Sequence, residues 1–350
     1  MHPLPVPGPH HRRRRGAGRG PRVVSGRDRL RGARRAGPGL YRPLRRTGLA
    51  ALLLLGRRGL VPGGGGEAVR RRARRRGRPG LVGAAGHRRR ARRRALCRSR
   101  RRLRVSTLTL TVLGCDGSHA GPGGAGSGYL VRDWSSGTSV WLDAGPGTFA
   151  NLQRFTDPMA LTAIVLSHEH VDHWSDLEGL VTAAKWTAAF ERAPIPVVSA
   201  PGIRHRLSQD SEGIFDWLEV GDGDDAQVGS LRLQFSRTAH PVTTLAVRFE
   251  GASEVLGYSA DSGPRWPLRA LGQDLDLVLC EATYTDDYAE SDDIHMTGSQ
   301  AGRAAKDARA RRLVLTHRWA KIPADAVLAE ASAMFSGRID SAEVGRGFSL

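Results

Sequence analysis

A short apolar run, Ala163 to Leu166, leads straight into Ser167-His168-Glu169-His170-Val171-Asp172-His173. This H-x-H-x-D-H cluster constrains the chain more than any other feature. A single zinc ion is satisfied by three protein ligands and a water. Four potential ligands within six residues exceed that need, so the pattern implies two adjacent metal ions. In an extended segment His168 and His170 point the same way. Asp172 and His173 fall at the turn into the next helix and can face a second position.

The cluster lies in the acidic part of a chain of two compositions. Residues 1–104 hold 34 Arg, no Lys and two acids, Asp28 and Glu67, a net charge of +32. Residues 105–350 hold 20 basic and 32 acidic residues, a net charge of −12, so the overall +20 belongs to the first segment. That segment is Arg, Gly, Pro and Ala with little to bury and strong self-repulsion, and it reads as disordered. One reading is a basic arm for nucleic acid. The other is GC-rich DNA translated upstream of the true start, which leads us to expect initiation at or near Val105. Leu49–Leu55 is too short to span a bilayer. Arg45-Arg46 before it is only a faint twin-arginine signal, without a small-residue cleavage site. Nothing in 105–350 reads as transmembrane. Cys97, Cys115 and Cys280 form no disulfide framework, and a cytoplasmic location is expected.

Residues 105–350 suffice for one sizeable domain. Strands are expected at Thr107–Leu113, Tyr129–Arg132, Ser139–Asp143, Ala163–Ser167, Pro196–Ser199, Leu231–Ser236, Leu245–Phe249, Val255–Ser259, Leu275–Cys280 and Leu313–Thr316. Helices are expected at Thr148–Phe155, Asp176–Phe190, Ile203–Ser208, Ser299–Ala310 and Ala324–Phe335. Gly114–Gly128 reads as a loop, and not as a P-loop, since no G-K-[ST] follows. Strands dominate early and alternate with helices later. This fits an α/β fold of two mixed sheets sandwiched between helices, an αββα arrangement, better than a doubly wound sheet.

Three further residues follow strand ends, where sheets present functional groups on loops: His240, Asp261 and His317. Each has an ordinary reading. His240 and His317 could be surface or core histidines, and Asp261 a turn residue. Taken with Leu113-Gly114-Cys115-Asp116-Gly117-Ser118, Ala239-His240-Pro241-Val242, Tyr258-Ser259-Ala260-Asp261-Ser262-Gly263, Cys280-Glu281-Ala282-Thr283, His295-Met296-Thr297-Gly298 and Leu315-Thr316-His317, they form an ordered set. The set resembles the metallo-β-lactamase fold superfamily, and within it the ribonuclease Z-like phosphodiesterase branch. The resemblance covers 107–350. It implies one metal held by His168, His170 and His240, a second by Asp172, His173 and His317, and Asp261 bridging them. It also implies that Asp172 can accept a proton, that His295 contacts the scissile phosphate and protonates the leaving oxygen, and that Glu281 is the carboxylate partner of His295. The plain alternatives are a solvated strand end for Glu281 and, for His295, a residue that merely precedes the helix capped by Thr297. His119 and His205 read as non-ligands. Trp174, Trp186 and Trp319 read as packing, with base stacking an alternative for Trp319.

Imidazole and carboxylate ligands suit two Zn²⁺, with Mn²⁺ or Fe²⁺ as alternatives. The ligands alone do not choose a substrate. The resemblance assigns the His295/Glu281 pair to phosphodiesters. The tRNA-processing members of the branch carry a long arm between the third-histidine motif and the bridging Asp, and here that gap is only 21 residues. The motifs most resemble bacterial cyclic-nucleotide phosphodiesterases, so the expected substrate is a small phosphodiester such as a 3′,5′-cyclic nucleotide. Asp116 and Arg318-Trp319 depart from that pattern. Three rivals stand: a ribonuclease, an ester or lactone hydrolase, and a nucleic-acid binder with a basic arm. A homodimer is implied by the resemblance alone.

Overall fold

The computed structural model describes residues 106–186, 193–208, 211–288 and 293–350. The Arg-rich segment and the last residues of the helix expected over Asp176–Phe190 lie outside them.

The first half supplies β1 (Leu108–Gly114), β2 (Asp116–Gly117), β3 (Gly128–Asp133), β4 (Thr138–Ala144), helix α1 (Thr148–Leu152), β5 (Ala163–Leu166), α2 (Leu177–Trp186), β6 (Ile195–Ser199) and β7 (Phe215–Glu219). The second half supplies β8 (Asp225–Val228), β9 (Leu231–Arg237), β10 (Leu245–Glu250), β11 (Val255–Tyr258), β12 (Leu277–Glu281), α3 (Gly298–Asp307), β13 (Arg312–Thr316), β14 (Arg318–Trp319), α4 (Ala324–Met334), β15 (Arg338–Ser341) and β16 (Gly347–Ser349). They form two seven-stranded sheets, ordered β16-β1-β3-β4-β5-β6-β7 and β15-β13-β12-β11-β10-β9-β8. Each is mixed. The first is antiparallel from β16 to β4 and parallel from β4 to β7. The second is antiparallel from β8 to β11 and parallel from β11 to β15.

The alternation of strand side chains sorts apolar residues into three layers. Leu110, Val131, Leu142 and Val165 of the first sheet meet Leu233, Val247, Leu279 and Val314 of the second. On the outer face of the first sheet, Trp141, Ile164 and Leu166 pack on Leu152 of α1 and on Leu177, Leu180 and Val181 of α2. On the outer face of the second, Val278, Cys280, Leu313 and Leu315 pack on Ala301 and Ala305 of α3 and on Val327 and Ala331 of α4. The central strands β4, β5 and β12 are buried on both faces, which is why they read as continuous apolar runs. The layers are helix, sheet, sheet, helix, as expected. Among the described residues no helix is long and apolar enough to cross a membrane.

Local differences from the sequence reading have physical causes. The segment Ile203–Ser208 forms only a 3-10 turn, Ile203–Arg206, because the Ser208 N–H and hydroxyl are both taken by Glu178. Within the expected loop Gly114–Gly128, β2 pairs with β14 immediately after His317. The edge strands β7, β8, β15 and β16 carry polar or half-exposed residues and give little apolar signal. Trp186, expected to pack, is 85% exposed at the end of α2. Trp174 does pack against the α2 layer and donates its indole N–H to the Glu169 carbonyl.

Candidate metal centre

The parallel strands of both sheets end at one rim, and the polar residues of that rim converge. His168 and His170 follow β5. Asp172 and His173 sit on the 3-10 turn Val171–His173. His240 follows β9, Asp261 follows β11 and His317 follows β13. All seven come together, and His295, on the segment before α3, closes over them with its ring 5.2 Å from the rings of both His240 and His317.

Two donor sets share one carboxylate. His168 Nε2, His240 Nε2 and His170 Nδ1 form the first, with each Nε2 3.1 Å from His170 Nδ1. Asp261 Oδ2 lies 3.6 Å from His168 Nε2 and 3.9 Å from His240 Nε2. Asp261 Oδ1 faces the second set, at 3.3 Å from both His173 Nε2 and His317 Nε2. Asp172 Oδ2 completes that set, at 3.5 Å from His173 Nε2 and 3.4 Å from His317 Nε2.

The tautomers follow from the far side of each ring. His168 Nδ1 faces Ser167 Oγ at 3.0 Å, and His173 Nδ1 faces Asp143 Oδ2 at 2.8 Å. His240 Nδ1 faces the Ile294 carbonyl at 3.2 Å, and His317 Nδ1 faces Thr283 Oγ1 at 2.9 Å. With Nδ1 as the N–H donor in all four, the neutral form of each ring directs an Nε2 lone pair inward. Lone pairs converging at these distances repel one another unless a cation lies between them. Two of the inward atoms, His173 Nε2 and Asp261 Oδ1, are buried without a hydrogen-bond partner among the described residues, a costly state that a cation would relieve. The donor set of imidazoles and carboxylates therefore suits metal binding.

Electrostatics agree. Burial alone would raise Asp172 and Asp261, but the surrounding histidines outweigh it and hold both carboxyls below the usual carboxylate range. Burial pushes the His168 imidazole down, toward the neutral form a ligand needs. At His173 burial acts the same way, but the Asp261, Asp172 and Asp143 carboxylates outweigh it and hold the imidazole well above its usual range, so that a positive charge is favoured where a cation would sit. The backbone is strained in the same place. Asp143, Ala260 and His317 all adopt left-handed φ, at 52°, 50° and 53°, conformations that non-glycine residues hold only when the surroundings impose them.

Asp143, not among the sequence-predicted residues, turns out to be central. Besides His173, its carboxylate accepts hydrogen bonds from the Ser167 N–H and hydroxyl and from the Tyr258 hydroxyl, at 2.7, 2.8 and 2.7 Å. Its signal in the sequence was a lone acid at the end of an apolar strand, Val140-Trp141-Leu142-Asp143. Thr283 is a second such residue, placed between His317 and Glu281. Glu281 is buried, not a solvated strand end. Its Oε1 faces His295 Nδ1 at 3.1 Å, and it accepts the N–H groups of Ser262 and Met296. His119 and His205 are exposed and stand outside the cluster. Trp319 packs against the α3–α4 layer, with Tyr284 on one side and the Lys321 ammonium over its ring.

Comparison with known proteins agrees with this architecture. A beta-lactamase superfamily domain matches residues 138–318. An uncharacterized protein of Mycobacterium leprae is 34% identical over 262 residues, covering 70% of this chain and 90% of the relative. "Probable metallo-hydrolase YhfI" of Bacillus subtilis is 29% identical over 242 residues, covering 68% and 98%. The crystal structure of that metallo-beta-lactamase fold protein superposes with a TM-score of 0.63 over 69% of this chain and 99% of its own. Ribonuclease Z of Pyrobaculum calidifontis is 28% identical over 234 residues, covering 55% and 80%. A binding protein with a merely structural metal no longer fits, and the chain belongs to the beta-lactamase superfamily as a metal-dependent hydrolase related to ribonuclease Z.

Proposed function

We propose that the chain is a dinuclear phosphodiesterase acting on small phosphodiesters, 3′,5′-cyclic nucleotides in particular. His168, His170 and His240 would hold one ion, Asp172, His173 and His317 the other, and Asp261 would bridge them. Zn²⁺ is the ion the donor set fits best, with Mn²⁺ or Fe²⁺ next. Divalent cations bound here supply Lewis acidity, activating water and neutralising phosphate charge.

The observation that carries the reading is the His295–Glu281 pair. In the ribonuclease Z-like phosphodiesterases that the chain resembles, the matching histidine and carboxylate serve a phosphodiester. Phosphodiester cleavage expels an alkoxide, which has to take up a proton. Burial pulls the His295 imidazole down, but the Glu281 carboxylate more than reverses this and holds it at about 9. His295 is then protonated near neutrality, and with Nδ1 engaged by Glu281 its Nε2–H is free to serve the leaving oxygen. Asp172, held ionised, can accept a proton from the attacking water while it binds metal.

A small substrate is favoured by what lies between His240 and Asp261. That stretch is the hairpin of β10 and β11, closed by a short turn and paired from Val247–Tyr258 to Glu250–Val255. It offers no arm to grip a folded RNA. The −12 charge of residues 105–350 also opposes a polyanion.

Purified full chain supplied with Zn²⁺ or Mn²⁺ should turn over cAMP or cGMP, and D172A should abolish it. Turnover of precursor tRNA with none of the cyclic nucleotides would replace this reading with a ribonuclease. Activity only on esters or lactones, undiminished in H295A, would replace it with a carboxyl-ester hydrolase.

A further inference from the structure

Outside the metal centre, two clefts differ in how their charges are used. One, of about 420 Å³, lies beside β9 and β10, and its single arginine, Arg248, is already engaged among the acids Asp224, Asp225 and Glu250. There Arg248 pairs with Glu250 at 2.7 Å and donates to the Leu271 carbonyl at 2.8 Å. The other, of about 370 Å³, lies between the turn after Asp261 and the outer face of α3. It is lined by Arg265 and Arg269 from the turn and by Arg303 from α3, with Asp307 as its single acid. All three arginines are exposed, and none has a hydrogen bond or ion pair to a described residue. Three guanidinium groups against one carboxylate leave about two positive charges without a partner.

The floor of this second cleft is apolar. Met296 and Trp266 both line it and are 1% and 6% exposed. The Trp266 indole N–H is spent on Ser236 Oγ, so the ring offers only carbon surface. The volume lies in the range of small-molecule sites, which combine an apolar floor with a few convergent polar groups. Guanidinium forks match the oxygens of a phosphate in charge and in planar geometry.

We infer that the cleft lined by Arg265, Arg269, Arg303, Trp266 and Met296 is a second ligand site, separate from the metal centre, for a small organic phosphate monoester. The net charge of the lining matches a dianion, and the apolar floor takes the ester's hydrocarbon or ring.

The test is calorimetric titration of phenyl phosphate into the metal-loaded full chain, repeated after chelation with EDTA. A saturable site present in both states is expected. In R265E/R303E, which changes only exposed side chains, its affinity should fall at least about tenfold, the loss of one or more charge-assisted contacts. The Arg-rich residues 1–104 are common to both proteins, so the difference isolates the cleft. Phenylacetate, with a single negative charge, should bind more weakly. Equal affinity in R265E/R303E, no saturable binding, or binding seen only with metal present would overturn the inference, the last by placing the phosphate on the histidine cluster. None of these outcomes depends on which substrate is hydrolysed.

Discussion

Glu281 Oε1 lies 3.1 Å from His295 Nδ1, and both side chains are withdrawn from solvent. The pair sets the protonation of the imidazole whose ring lies 5.2 Å from those of His240 and His317. Burial lowers the His295 pKa, and the Glu281 charge and hydrogen bond lift it to about 9. If the protonated form is the active one, kcat/KM should hold through neutrality and fall as pH rises through about 9. In E281Q the largest lifting charge is gone, only the Asp261 carboxylate still opposes burial, and the alkaline limb should move to lower pH. H295A should lose the limb together with about 10²–10⁴ of the rate. An E281Q profile superimposable on the wild type would show that the pair is only structural.

The metal centre was more legible in the sequence than its supports. His168, His170, Asp172 and His173 sit within one turn of a strand end, so spacing alone groups them. His240, Asp261 and His317 are distant in sequence, yet each follows a strand of recognisable apolar character, and parallel strands end at one rim. Asp143 gave no comparable signal. It acts on His173 and Ser167 across the β4–β5 pairing, and a carboxylate at a strand end is common in any fold. The layers were legible for the same reason as the ligands, because β4, β5, β12 and β13 each carry an uninterrupted apolar run. The edge strands were not, since they bury few residues and pair with a single neighbour. Trp186 was misjudged because a helical stripe gives no sign of where its covering layer stops.

Metal binding should stabilise the fold. His173 Nε2 and Asp261 Oδ1 are buried without hydrogen bonds among the described residues, and a cation satisfies both. For a ligand that binds only the folded state, saturation at 100 times Kd contributes about 2.7 kcal/mol. Thermal unfolding with added Zn²⁺ should therefore occur several degrees above that in EDTA. In H173A/H317A the difference should shrink, because one donor set has lost two of its members.

Asp143 should control metal affinity without touching the metal. It fixes the His173 tautomer and is itself held by Ser167 and Tyr258. Loss of such an outer carboxylate typically weakens metal affinity about 10–100-fold. D143N keeps the shape but removes the charge that holds the His173 N–H. Competition with a chromophoric chelator should show weaker binding of one ion of the two. Y258F, which deletes a single donor to the same carboxylate, should weaken it in the same direction by a smaller factor.

Gly145 should be intolerant of any side chain, because of what it lets Asp172 do. A Cβ there would stand 2.0 Å from the Asp172 carbonyl oxygen and 2.8 Å from the Ser127 backbone nitrogen. Those two atoms are joined by a 3.1 Å hydrogen bond that pins the Val171–His173 turn onto the first sheet. Neither is the tip of a flexible side chain, so the turn itself would have to move. Overpacking of this kind costs about 1–3 kcal/mol, and the displacement falls on Asp172 and His173 together. G145A should therefore melt earlier and lose affinity for the second ion more than for the first. Gly302 offers the control, since a Cβ there would lie 2.6 Å from the Ala331 carbonyl oxygen between α3 and α4. G302A should lower the melting temperature by a similar amount and leave metal stoichiometry at its wild-type value. If both variants lost metal equally, the effect would follow from general destabilisation and not from the seat of Asp172.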